Sequence, residues 1–265
     1  MPQQTIFPKQ RIQFLNNALL IDSKILVIAD LHIGQEEIII KQGLAPRTQL
    51  HNIITNLNKI FNSLEKRKIN LNKIIILGDL KHEHGKISNE EWRETLYFLD
   101  IISKKAKNII LIKGNHDNIL QPIINKRNLE IKPYYKYKDI LFMHGHKEYK
   151  QPFQKGLTQT KKSKIKNFKT IILSHIHPAI TLTDNYKREK YKCFLKGKYK
   201  SKQTYILPSF NPISTGYDLT NPKNLYPIKK DFFIIPENKL KNFNVLIYNK
   251  KEQKVYDFGK LKGLI

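Results

Sequence analysis

Short apolar runs recur along the first two thirds of this chain, and each ends abruptly on Asp, Asn or His. Ile25–Ile28 leads into Ala29-Asp-Leu-His32, Ile74–Leu77 into Gly78-Asp-Leu-Lys-His82, and Asn108–Ile112 into Lys113-Gly-Asn-His-Asp117. Ile140–Met143 leads into His144-Gly-His146, and Ile171–Leu173 into Ser174-His-Ile-His-Pro178. Runs of this length, rich in β-branched residues, predict buried strands. Asn17–Asp22 and Lys24–Ile28 read as two such strands in succession. Between the runs the period changes. Leu50, Ile53, Ile54, Leu57, Ile60, Phe61 and Leu64 recur at threes and fours and predict an amphipathic helix within Pro46–Lys68. Ser88-Asn-Glu-Glu91 fits a capping box, and Trp92, Leu96, Leu99 and Ile102 supply one apolar face of a second helix.

Strand, helix, strand, helix, strand predicts a layered α/β domain with its polar residues at the carboxyl ends of the strands, where open α/β sheets place their sites. Beyond Asn118 the pattern turns to strands: Asp139–Met143, Thr170–Leu173, Thr204–Leu207, Asn244–Tyr248 and Lys254–Phe258. Two lysine-rich stretches, Lys147–Lys169 and Tyr186–Lys202, read as basic insertions. The second is expected to form a hairpin around Lys196-Gly197-Lys198. No linker and no internal repeat interrupts the 265 residues, so one domain over 1–265 is expected.

Charge adds a partner to this picture. The 48 basic and 22 acidic residues leave a net charge of +26, which makes polyanions natural partners. Only six of the basic residues are Arg, and an Ile-, Lys- and Asn-heavy composition fits an AT-rich genome equally well. Aromatic residues interleave with Lys and Arg over Tyr186–Lys202, a mixture suited to phosphate contact and base stacking. Lys190, Tyr191, Lys192, Lys196 and Lys198 are the candidate substrate contacts there, a solvated charged hairpin being the plainer alternative. Cys193 stands alone and cannot form an internal disulfide. With no apolar run of about 18 residues and no leader-like N-terminus, a cytoplasmic protein without a membrane span is expected.

The strand-end residues carry the chemistry. Of nine histidines, His51 alone lies clearly apart, in a helical pattern that puts it on the surface; His84 falls just past one of the stops. Asp30, His32, Asp79, Asn115, His144, His175 and His177 are oxygen and nitrogen donors with no thiolate among them, a set suited to Mn, Fe or Zn. Seven donors are too many for one ion. With Asp79 shared, they suit two ions about 3.5–4 Å apart, the arrangement used on phosphate esters.

Taken together, Asp30-Leu-His32, Gly78-Asp79, Gly114-Asn-His-Asp117, His144-Gly and His175-Ile-His177 resemble the calcineurin-like metallophosphoesterase superfamily, over about residues 25 to 178. Gly78-Asp-Leu-Lys-His82 is similar to the form in DNA-repair nucleases related to SbcD and in small archaeal and DNA-ligase-associated phosphoesterases. Phosphoprotein phosphatases of the superfamily carry Asp then Arg where this chain has His82 and Glu83, so the resemblance argues against a phosphoprotein substrate. It implies a four-layer αββα sandwich of two mixed sheets flanked by helices. It also implies two divalent cations, manganese foremost with Fe, Zn or Mg as alternatives. Asp30, His32 and His177 would hold one ion with Asp79; Asn115, His144 and His175 would hold the other, His144 being preferred to His146. His116 would act on the leaving oxygen, with His82 orienting it or touching the phosphate. The implied reaction is in-line attack on phosphorus by a metal-activated hydroxide. The implied function is a Mn-dependent nuclease on single-stranded or flapped DNA, with DNA ligase or helicase repair partners. The alternatives are a phosphodiesterase for small substrates such as 2′,3′-cyclic nucleotides and a non-catalytic interaction module.

Overall fold

The computed structural model describes residues 11–37, 40, 43, 47–148, 168–184, 186–221 and 232–265. Most of the basic stretch 147–169 lies outside these residues. Two mixed sheets face each other. The first runs β1 (Ile12–Leu15), β2 (Ala18–Ile21), β3 (Ile25–Ile28), β4 (Lys73–Leu77), β5 (Asn108–Ile112) and β6 (Ile131–Lys132) in spatial order. β3 to β6 pair in parallel, so their carboxyl ends lie along one edge. The second sheet holds β7 (Tyr135–Tyr137), β8 (Ile140–Phe142), β9 (Thr170–Leu173), β12 (Phe194–Tyr199), β13 (Lys202–Ile206), β15 (Asn244–Asn249) and β16 (Lys254–Lys260), in the order β16-β15-β12-β13-β9-β8-β7. A third, smaller sheet joins β10 (Pro178–Asp184) to β11 (Lys187–Lys192) and β14 (Tyr217–Asp218).

Leu19, Ile21, Val27, Ile75 and Leu77 of the first sheet meet Ile140, Phe142, Ile172, Phe194 and Leu246 of the second in one buried layer. The outer face of the first sheet is covered by α1 (Gln49–Lys66), α2 (Asn89–Ser103) and the short α3 (Gln121–Asn125). The predicted period holds in α1, which buries Ile53, Leu57, Ile60, Phe61 and Leu64; each such side chain contributes about 1.5–3 kcal/mol. His51 lies on its exposed side. The outer face of the second sheet is covered differently among the described residues. There α4 (Glu237–Leu240), the segment Phe233–Ile235 and β10 close a separate core. The two helical layers are therefore unequal, but the layered α/β sandwich of mixed sheets is the architecture present.

Two local expectations need correction. The hairpin of the second basic stretch turns at Lys200 and Ser201, both at positive φ (48° and 61°), whereas Gly197 lies mid-strand in β12 with the Phe243 ring closing on it. The capping box at Ser88 is half formed. Ser88 Oγ accepts from Glu91 N at 3.0 Å, but Glu91 Oε1 accepts from His82 N (2.8 Å) and Glu83 N (3.0 Å) and so braces the loop after β4. The amino end of α1 is likewise capped from afar, by Glu36 Oε2 accepting from Thr48 N and Gln49 N at 2.8 Å each. Gln49 in turn donates to the His32 carbonyl at 2.7 Å. Both helices thus fix loops that lead out of the central strands.

Candidate metal centre

At the ends of β3, β4 and β9 the backbone leaves the sheet through the left-handed region. Asp30 (φ 52°), His32 (45°), Asp79 (50°), His175 (77°) and His177 (45°) all sit there without being glycine. That conformation costs about 1–2 kcal/mol per residue, so five together cost a large share of the roughly 5–15 kcal/mol by which a domain is stable. Strain of this kind persists where the surroundings over-determine it, and it concentrates at functional sites. Its consequence here is geometric, because it turns five side chains from distant parts of the chain towards one point. Two glycines make room for them. A Cβ on Gly78 (φ 88°) would overlap the His144 ring, and one on Gly114 would overlap the Asp79 carboxylate.

The convergent atoms form three clusters, and Asp79 lies between two of them. In one, Asp30, His32 and His177 each offer an atom within 4.8 Å of the others, and the two Nε2 atoms of His32 and His177 are 3.2 Å apart. In the other, Asp79, His144 and His175 do the same, with His175 Nδ1 3.1 Å from His144 Nε2. Asp79 Oδ2 lies 3.6 Å from His32 Nε2 and 3.2 Å from His144 Nε2, so one oxygen faces both clusters. Asn115 Oδ1 is 3.1 Å from His144 Nε2, which brings the seventh expected donor to the second cluster. His144 is wholly buried at this point, whereas the His146 ring centroid lies 5.3 Å from it and half-buried at the rim.

This donor set fits divalent cations. Asp30 Oδ1 and His175 Nε2 are buried with no hydrogen-bond partner among the described residues, a costly state that coordination would relieve. Imidazole nitrogens approaching within 3.2 Å are held without repulsion only when a proton or a cation lies between them. The electrostatics agree at Asp79 and His175. Burial opposes ionisation of Asp79, but the adjacent His144, His32 and His116 outweigh it and hold the carboxyl well below its usual range. Burial also works against a charged His144, yet the carboxylates of Asp79 and Asp30 outweigh it and raise its pKa to about 9. Burial, reinforced by that His144 charge, drops His175 to about 3. Metal binding requires ionised carboxylates and neutral imidazoles, so Asp79 and His175 already hold the required state, whereas His144 would give up its proton to a cation.

His116 and His82 sit beside the first cluster. His116 Nδ1 donates to the backbone carbonyl of His82, which fixes the orientation of the His116 ring. Its Nε2 then faces Asp79 Oδ2 at 4.0 Å. The His82 ring stacks 5.4 Å from that of His116, with its Nδ1 3.4 Å from His32 Nδ1, so His32, His82 and His116 form a third group of close nitrogens. Several supporting groups carry no signal of their own in the sequence. Buried Asp117 accepts from Asp79 N (2.9 Å), Leu80 N (3.0 Å) and Gly114 N (2.9 Å), pinning two strand-end loops together. Ser174 Oγ donates to Leu77 O at 2.6 Å beside His144 Nδ1, and the His84 ring lies 3.6 Å from that of His116. Ser209 Oγ donates to Asp30 O at 2.7 Å, and Ser214 Oγ lies 3.5 Å from His177 Nδ1; these contacts give the loop Ser209–Gly216 a role. Asp117, Ser174 and His84 stand within or just past the strand-end runs, which is the sequence clue to their place but not to their partners.

The five candidate substrate contacts do not form one surface. Lys190 Nζ donates to the Gly216 carbonyl, and Tyr191 Oη donates to Glu189. Lys192 is turned inward, its amine donating to the carbonyls of Ser209 (3.0 Å) and Asn211. Burial lowers its pKa to about 7, so it latches the loop behind Asp30 rather than facing solvent. Lys196 and Lys198 are exposed on another sheet, lining a groove of about 360 Å³ with Gln203, Asn242 and Asn244.

Comparison with known proteins yields a match to the family model described as Calcineurin-like phosphoesterase, over residues 23–235. The solved nuclease MPE of Pseudomonas putida is similar in fold, with a TM-score of 0.57 at 16% identity, covering 93% of this chain and 94% of that one. A phosphoesterase of E. coli, Yfce, aligns with a TM-score of 0.39 at 12% identity, covering 89% and 98% respectively. No curated protein sequence matches the chain.

Proposed function

Because this chain belongs to the calcineurin-like phosphoesterase family, and so to a class of metal-dependent hydrolases, we propose that it is a dinuclear phosphodiesterase acting on DNA, single-stranded or flapped. The observation that carries this reading is the single Asp79 oxygen set between two clusters of imidazoles and carboxylates. Asp30, His32 and His177 would hold one cation and Asn115, His144 and His175 the other, with Asp79 shared. When bound, two divalent ions supply Lewis-acid chemistry, lowering the pKa of water and offsetting charge on phosphoryl oxygens. Manganese suits the mixed oxygen and imidazole donors.

The chain's own residues do the rest. His82 O fixes Nδ1 of His116 as the donor, leaving Nε2 as the nitrogen through which a proton passes to the departing oxygen. Asp117 and Ser174 hold Asp79 and His144 in register. A net charge of +26 draws a polyanion to the molecule, and the nuclease activity named for the similar P. putida protein favours DNA over a small ester. The Gly78-Asp-Leu-Lys-His82 form supports a place beside the SbcD-related and ligase-associated enzymes, and with it the reading that DNA ligase or helicase repair proteins are partners. The test is a manganese-loaded assay on single-stranded DNA, duplex DNA, RNA, 2′,3′-cyclic nucleotide and a chromogenic phosphodiester. Preference for single-stranded DNA by orders of magnitude is expected; a preference of that size for the cyclic nucleotide would replace the reading.

A further inference from the structure

Large apolar side chains at the rim of a polar centre are costly to leave in water, and one is present here. Phe232 keeps 49% of its surface exposed, yet its ring lies 4.6 Å from that of His175, tilted by 45°. Its placement is fixed from below. Neighbouring Phe233 is fully buried, its ring closing on the Gly145 backbone, and Ile234 N donates to Gly145 O at 3.0 Å. Tyr199 Oη donates to the Ile234 carbonyl at 2.8 Å from the neighbouring sheet. The segment is thus tied to the His144-Gly145-His146 loop, and the exposed ring is held against a ligand of the second cluster.

The same rim carries a further ring, that of half-buried His146, 6.0 Å from that of His175, and exposed Lys147 follows it in the chain. A fixed aromatic face beside imidazoles and a lysine matches a ligand with a flat ring next to a phosphate, which is what a nucleotide presents. We propose that Phe232 is the platform on which the nucleobase adjoining the scissile phosphate stacks, so that this site selects nucleoside-bearing phosphodiesters over those lacking a base. The proposal rests on the phosphodiesterase reading above and names the feature of the substrate that it would recognise.

The test uses a short single strand carrying 2-aminopurine, whose fluorescence is quenched by stacking, mixed in calcium buffer with the wild type, Phe232→Ala and Phe232→Trp. Cleavage of the same strand in manganese is measured beside a counterpart with a tetrahydrofuran abasic residue. Quenching is expected in the wild type and Phe232→Trp and is expected to vanish in Phe232→Ala. The kcat/KM for the base-bearing strand should fall about tenfold or more in Phe232→Ala, chiefly through KM, while cleavage of the abasic strand stays at the wild-type rate. Equal quenching in Phe232→Ala, an equal loss on both strands, or no quenching in the wild type would overturn the platform. Absence of cleavage with the quenching pattern intact would instead remove the phosphodiesterase reading and leave the platform standing.

Discussion

Two parts of this molecule carry dense polar residues, and they behave in opposite ways. At the ends of β3, β4 and β9, Asp30, Asp79 and His175 are buried, strained and held within hydrogen-bonding distance of one another or of His144. Along β11 and β12 the lysines disperse. Lys190 reaches a loop carbonyl, Lys192 turns inside, and Lys196 and Lys198 face solvent on another sheet. The difference lies in what each arrangement must satisfy. A buried carboxylate or imidazole has few tolerable partners, so its position is over-determined by neighbours such as Asp117 and Ser174. A surface ammonium is satisfied by water almost anywhere, so its sequence spacing imposes little geometry.

The largest test of this contrast is Asp79→Asn. If one carboxylate serves both clusters, the variant loses both cations and more turnover than the roughly 10²–10⁴-fold that a positioned acid–base group contributes. Elemental analysis of metal content together with phosphodiester turnover checks this. Retention of two ions would separate Asp79 from the centre. Next in size is His116→Ala, expected to lower kcat by about 10²–10⁴-fold while metal content stays at the wild-type level. A fully active variant would remove His116 from the reaction.

How far each region is legible in the sequence follows from the same contrast. The strand ends are readable because an apolar run that stops on Asp or His leaves that residue at a defined edge of a sheet. All seven expected donors meet there. The supporting groups are not readable, since Asp117 and Ser174 act through backbone amides and carbonyls that no side-chain pattern reports. The basic stretch misleads in three ways. The six residues of β11 alternate no apolar positions, because this edge strand pairs, among the described residues, only with β10 and faces water. Gly197 is the natural candidate for the turn of the next hairpin, although Lys200 and Ser201 take the left-handed conformations. Lys192 reads as a surface cation because nothing in Tyr191-Lys-Cys193 marks a buried amine. The basic segment 147–169 falls mostly outside the described residues and so bears on neither region.

Two smaller effects sharpen the comparison from its basic side. The amine of Lys192, with its pKa lowered by burial to about 7, is neutral in the folded protein above that pH, while the unfolded chain keeps it charged up to about 10.4. In that window the unfolded state binds more protons, so this residue makes stability rise with pH, and the gain is lost as pH falls through 7. Lys192→Met should flatten the rise, as read from urea unfolding at about pH 7, 8 and 9. An unchanged slope would place the amine in solvent. Smallest of all, replacing Lys196 and Lys198 with Gln should leave turnover of a small chromogenic ester unchanged. For single-stranded DNA it should reduce the slope of log K against log salt by about 0.7 for each phosphate that these two ammonium groups neutralise. An unchanged slope would make this groove a solvated face.

The central claim is that side chains remote along the chain hold a pair of cations through one shared carboxylate. Anomalous diffraction at the manganese edge from crystals grown with that ion tests it most directly. Two peaks per chain are expected, about 3.5–4 Å apart and both bonded to Asp79. A single peak, or a pair of which either lies beyond coordinating distance of Asp79, would contradict it.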